Sequence, residues 1–279
     1  MRILSNGIGV GVGDVLLTNE PLYIGGNVWF VNNGHANAAD AAAPRGLNPE
    51  YPLETLSQAI TNSAGGDIVV LGSTHDEITG NPVDLTSKYV IIVGEGRTEG
   101  VPSARLRNEG TSGDPILSCG TVPVQLRNIR FGPGYAAGTY ASVNFASGAN
   151  GAQVIGCQFE VGDYDTNEHA VKISSSGLTF EDCVFKSVGT DPTAAPVGLV
   201  VTVAPDELVL RRCTLDAGVT GFSGSSGYGY AADLSAAPIS GLTMENMSLL
   251  NGADVKLSAG STITVVHVAT CTGSSKVVW

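Results

Sequence analysis

The sequence predicts an all-β solenoid, a parallel β-helix in which short strands stack coil upon coil, and three observations point to it. One strand pattern recurs as VQLRNIRF (124–131), AQVIGCQF (152–159), LTFEDCVF (178–185), LVLRRCTL (208–215), LTMENMSL (242–249) and, more loosely, ITVVHVAT (263–270). The composition suits strands and turns: the chain of 279 residues holds 37 Gly and is only 14% charged, too few charges for many solvated helices. A helical apolar spacing stands out at one place, upstream of the repeats, where a solenoid needs a cap.

Residues 1–26 read as an amino-terminal arm that could dock on a larger particle. Its glycines, in GIGVGVGD (7–14), do not complete a GxGxxG motif and no helix follows, so the arm is flexible or strand-forming rather than a nucleotide loop. The opening MRILSNGIGVGVGDVLL lacks the uninterrupted apolar stretch and small-residue cleavage site of a signal peptide, which predicts synthesis inside a cell. Residues 27–66 hold a strand, NVWFVN (27–32), and a short capping helix within NPEYPLETLSQAITNSAGGD (48–67). In that helix Leu53, Leu56 and Ile60 fall at helical spacing, and Gly65 and Gly66 stop it.

Residues 67–279 are the predicted β-helix. Aligning the repeats puts Leu126, Val154, Phe180, Leu210, Met244 and Val265 in one column, with a mean period of about 28 residues. A second column holds Ile129, Cys157, Cys183, Cys213, Met247 and Val268. Ahead of each repeat runs another short strand: SVNFAS (142–147), VKISS (171–175), VVTVA (200–204), AADLS (231–235) and VKLSA (255–259). This period is too short for a propeller blade and lacks the asparagines of a leucine-rich repeat. Cys157, Cys183 and Cys213 are therefore expected to form an inward ladder of small, polarizable side chains. The position before it, Asn128, Gly156, Asp182, Arg212, Asn246 and His267, is rich in residues that tolerate a left-handed backbone and so marks a sharp corner. One position earlier, Glu181, Arg211 and Glu245 alternate in sign, as solvent-facing neighbours across a ladder prefer. The chain ends on the apolar KVVW (276–279), which implies a cover.

Charge narrows the partners. A net charge of −12 argues against nucleic acid and anionic membrane surfaces, which need a basic footprint. No apolar run approaches the roughly 20 residues of a membrane span. The five cysteines, an odd number without a CxxC pair, indicate neither a disulfide framework nor a zinc site.

At this point the chain resembles right-handed parallel β-helix proteins of the pectate-lyase-like superfold over residues 27–279. The resemblance rests on VWFVNNG, on NPEYPLETLSQAI followed by GGDIVVLG, and on the recurring strand with Asn or Asp before Cys. It implies a right-handed, single-stranded helix with an amino-terminal cap, the order found in many phage virion proteins and secreted bacterial β-helices. Similar proteins include polysaccharide lyases and hydrolases, tailspikes, adhesins and capsid-surface components.

The chemistry those enzymes need is sparse here. Lyases of this kind gather several carboxylates for calcium with a basic residue beside them, whereas Arg127, Glu181, Arg211 and Glu245 mix signs. Glu181 and Glu245, two coils apart, stand near the spacing of a glycosidase pair, yet Arg211 between them would hold both ionised. GDYDTNEHA (162–170) is the densest polar stretch. Asp163, Asp165 and Asn167 are spaced like the first ligands of a calcium loop, but without its glycine and distant glutamate, and His169 could serve as a base beside them. No catalytic residue, metal or cofactor is assigned.

The long insertions FGPGYAAGTY (131–140), FEVGDYDTNEH (159–169), FKSVGTDPTAAP (185–196) and LDAGVTGFSGSSGYGY (215–230) all follow the repeated strand, which places them on one edge. They carry Tyr135, Tyr140, Tyr164, Phe222, Tyr228 and Tyr230, aromatic residues suited to binding a protein partner or a glycan. The expectation is a non-enzymatic phage virion protein, a capsid decoration protein or short spike. Its expected state is a homotrimer in contact with the major capsid protein or another virion protein, or with a host surface glycan. A polysaccharide-depolymerising enzyme with its site in the Asp163–His169 loop is the alternative, and a carbohydrate-binding adhesin a third.

Overall fold

The computed structural model describes residues 11–12, 15–16, 26–41, 44–108, 115–132, 140–161, 168–188, 197–203, 205–217, 232–236, 238–272 and 277–278. The fold is nearly all β with long parallel sheets, the arrangement of an all-β solenoid. Three rows of strands make it up, and the chain visits them in order before returning to the first.

Sheet A stacks Val28–Val31, Ile68–Leu71, Ile91–Gly94, Gln125–Arg127, Gln153–Ile155, Leu178–Glu181, Asp206–Arg211 and the first half of Ser240–Leu250. Sheet B stacks Asp76–Thr79, Arg105–Asn108, Arg130–Phe131, Gln158–Val161, Val184–Ser187 and Thr214–Asp216. The second half of Ser240–Leu250 completes it, because that strand runs unbroken across the corner between the two sheets. Sheet C runs from Val83–Leu85 through Leu117–Cys119, Tyr140–Phe145, Glu168–Ile173, Val197–Val201, Ala232–Leu234 and Val255–Leu257 to Val277–Val278. Every contact within these three rows is parallel, so each residue meets its counterpart one coil away.

Alternation drives the strands. In Leu178–Glu181, Leu178 and Phe180 are buried while Thr179 and Glu181 are half-buried, the pattern of a strand with one dry face. The dry faces merge into one core from Trp29 to Leu257. Within it Phe131, Phe159 and Phe185 stack with ring centroids 5.0 and 5.1 Å apart, near the strand spacing that brings them together.

The corner between sheets A and B is tight. Asn128, Gly156, Asp182, Arg212 and Asn246 have φ of 53°, 63°, 54°, 49° and 53°, the left-handed region that lets the chain turn in a single residue. Arg97 braces this corner across coils, donating to Asn128 Oδ1 at 2.6 Å and to the Gly156 carbonyl at 2.6 Å. The last coil departs from the expected columns. Met244 pairs with Val266 rather than Val265, and Met247 with Val268, so Glu245 and Asn246 stand opposite His267 alone. A bulge therefore replaces the left-handed turn, and His267 is not among the residues of positive φ.

The amino-terminal end is closed by helix α1 (Leu56–Asn62), whose Leu56, Ala59 and Ile60 are buried against the core. Thr55 is its N-cap and accepts from the Gln58 N–H. At its other end the Lys88 ammonium donates to the carbonyls of Ile60, Thr61 and Ser63, groups that a helix terminus leaves without partners. Leu53, expected on the helix, lies before it and forms a bridge with Val31. Among the described residues, no helix is long and apolar enough to cross a membrane.

Candidate functional site

The connections from sheet B to sheet C are the segments that hold most of the insertions. Residues 109–114, 133–139, 162–167, 189–196 and 218–231 lie outside the described residues, and the strands on either side of each are described. Each segment leaves one strand of sheet B and enters one strand of sheet C, and both sets are stacked in parallel order. The anchor points therefore repeat at the strand spacing, about 4.8 Å, along one edge. Tyr135, Tyr164, Phe222, Tyr228 and Tyr230 fall outside the described residues, as do Asp163, Asp165 and Asn167. Tyr140 begins the strand Tyr140–Phe145 and pairs in register with Glu168. His169 is half-buried on the next strand, in register with Ala141 and Val197.

At the root of that edge, the outer face of sheet B carries a charge cluster that the repeat alignment did not reveal. Glu160 is only 3% exposed and takes hydrogen bonds from Arg130 Nε at 2.9 Å and Gln158 Nε2 at 2.7 Å. Arg105 approaches the same carboxylate at 3.8 Å by lying over Gly132, where an added Cβ would stand 2.9 Å from its guanidinium. Burial lowers the Arg105 pKa, and the neighbouring Arg130 charge lowers it further. Arg107 forms a two-pronged pair with Asp76 at 2.8 and 3.1 Å. The clue lay in Arg105, Arg107, Arg130 and Glu160 occupying outward positions of successive sheet B strands, visible only once that sheet's register is known.

The carboxylates considered for sugar hydrolysis are tied into ion pairs. Glu181, Arg211 and Glu245 are in register on sheet A, and Arg211 Nε meets Glu245 Oε2 at 3.0 Å. Glu181 turns instead to Arg212, which also binds Asp182 at 2.8 Å and whose pKa is raised by those two carboxylates, Asp182 first. Among the described residues, no group of three or more His, Cys, Asp or Glu side chains is placed to hold a metal ion.

Cys157, Cys183 and Cys213 are buried in the column between Ile129 and Met247. Cys183 Sγ lies 3.4 Å from the carbonyls of Val154 and Glu181, and Cys213 Sγ 3.4 Å from those of Phe180 and Arg211. Burial pushes the Cys157 thiol up to about 12 and raises the Cys183 and Cys119 thiols strongly. Such thiols stay protonated and make poor nucleophiles.

The opposite corner, from sheet C back to sheet A, carries an open groove of about 450 Å³ lined by Asn150, Gly151, Ser176, Gly177, Asp206, Glu207, Ser240 and Gly241. Asn150 Oδ1 accepts from the Ser176 N–H and Ser176 Oγ from the Asp206 N–H, so its side chains serve as a ladder of turn caps. Comparison of the chain with protein-family models, with curated proteins and with solved structures yields no match.

Proposed function

We propose that the chain is a right-handed, single-stranded parallel β-helix acting without catalysis on a virion surface, as a capsid decoration protein or short spike. It assembles as a homotrimer and meets the major capsid protein, another virion protein or a host glycan through its loop-bearing edge. The observation that carries this reading is the single-file anchoring of the insertions between sheets B and C. A rack of that kind spaces the ends of the aromatic-bearing segments at regular intervals along one edge, which suits recognition of a partner. Closure of the coil accords with strands that return to each row in turn. The handedness follows the resemblance of the sequence to the pectate-lyase-like superfold.

The test is immunogold electron microscopy of phage particles from the source culture with antibody against the purified chain. Label on intact particles is expected; label confined to the soluble lysate overturns the virion assignment. Sedimentation equilibrium of the pure protein should give the mass of three chains, and a monomer would remove the trimer. Release of reducing or unsaturated sugars from host polysaccharides, abolished in Asp163→Ala, would replace this reading with a depolymerase.

A further inference from the structure

We propose that residues 7–17 fold back as a β-hairpin over the outer face of the first three strands of sheet A, and so form a wall of the folded body rather than a free tether. The face itself motivates this. Val28, Ile68 and Ile91 share one outward row, and Phe30, Val70 and Val93 share the next. In the following strand the same rows become Gln125 and Arg127. Phe30, Ile68, Val70, Ile91 and Val93 are 2–8% exposed and cluster apart from the main core. The apolar neighbour described as packed against them is Val28, from the same face. A parallel sheet with both faces apolar needs a layer on each side.

Helix α1 is not that layer, since its buried residues belong to the main core at the end of the solenoid. The amino-terminal segment has the matching chemistry. Ile8, Val10 and Val12 alternate with Gly7, Gly9, Gly11 and Gly13, giving one apolar face and one without side chains. Residues 3–13 carry no charge. Gly11–Val12 pairs antiparallel with Val15–Leu16 in the register Gly11 to Leu16 and Val12 to Val15, the pairing of a hairpin. An isolated two-stranded hairpin is marginal in water and needs an apolar surface to rest on. The hairpin needs an apolar surface, and the buried sheet face needs a layer that accounts for its burial.

Reach permits the contact. The eight residues 18–25 between the hairpin and Gly26 can span roughly 26–29 Å, against about 10 Å across three strands. This inference is independent of the virion assignment, and it withdraws the arm from a particle-docking role.

Disulfide trapping in the full chain tests it. Cys271 is the exposed cysteine, so Cys271→Ser gives a quiet background, to which Val10→Cys and Val70→Cys are added. Mild oxidation should yield a cross-linked monomer, whereas the pair Val10→Cys with Val209→Cys, farther along sheet A, should not close. Cross-linked dimers would assign the face to a second copy and overturn the proposal. Independently of cross-link geometry, Val10→Asp with Val12→Asp should speed amide exchange of residues 68–71 at least tenfold. Unchanged exchange there would also overturn it.

Discussion

Cys157, Cys183 and Cys213 hold their thiols against backbone carbonyls in a dry column, and this fixes how they meet reagents. In the native protein only Cys271 is exposed, so iodoacetamide should modify one thiol of the five, and all five after denaturation. The raised Cys157 pKa also sets a sign. A folded-state pKa of about 12 means that only the unfolded chain releases this proton above the ordinary thiol range near 8.5. The contribution is full below that range and is lost as pH rises toward the folded value, at about 1.4 kcal/mol per pH unit for one thiol. Wild type should therefore be more stable than Cys157→Ala at pH 8, with the gap closing and reversing by pH 10.5 in urea titrations. A constant gap would mean that the thiol ionises freely in the fold. At the neighbouring corner, Gly156 combines a φ of 63° with a site where a Cβ would stand 2.8 Å from Arg97 Nη2. Gly156→Ala should cost about 1–3 kcal/mol in chemical denaturation, from backbone strain and the displaced guanidinium. Adding Arg97→Ala should recover part of that loss, giving a non-additive cycle.

At the scale of elements, the cap shows what a linear reading captures and where it stops. The spacing of Leu56 and Ile60 locates α1, because amphipathic period is a local property. What fastens it is not local. Asp67, 1% exposed, accepts from Trp29 Nε1 at 2.8 Å, from the Asn27 N–H at 2.7 Å and from the Ala64 N–H at 2.8 Å. Glu77, 5% exposed, takes the Leu56 N–H at 2.8 Å and His75 Nε2 at 3.0 Å. In the sequence both are merely acids beside a turn and a strand, since Asn27, Trp29 and Leu56 reach them from far along the chain. The repeated strands were legible for the same reason as the helix. Sheet B's charge cluster was not, because a column drawn through sheet A residues says nothing of which way Arg105 or Glu160 points. The loss of register at His267 escaped as well, a one-residue bulge being invisible to an alignment that assumes equal coils. Replacing Asp67 by Ala should leave the buried Trp29 indole N–H and the part-buried N–H groups of Asn27 and Ala64 without this acceptor. A loss of about 3 kcal/mol or more is expected in urea unfolding followed by Trp29 emission, and a change below 0.5 kcal/mol would show that water or a neighbour substitutes for the carboxylate.

Across the whole molecule, each coil touches mainly the coils before and after it, so stability is a sum of coil and interface terms. Position along the stack then decides how damage spreads. Phe159 sits between Phe131 and Phe185, with ring planes 5° and 13° from parallel, and its removal weakens two interfaces at once. Phe159→Ala should cost about 3–5 kcal/mol, the range for large cavities in a close-packed core. Val255, equally buried but one coil from the carboxyl-terminal end, has a half-exposed neighbour in Val277 and so less to lose. Val255→Ala should raise exchange in residues 240–272 while leaving the amides of residues 91–131 protected. Phe159→Ala should raise exchange on both sides of the lesion, because the core is continuous through that ring. Hydrogen exchange read by mass spectrometry separates the two patterns. Uniform loss of protection in both variants would mean that the stack unfolds as one unit, with interfaces between coils stronger than the nearest-neighbour picture requires.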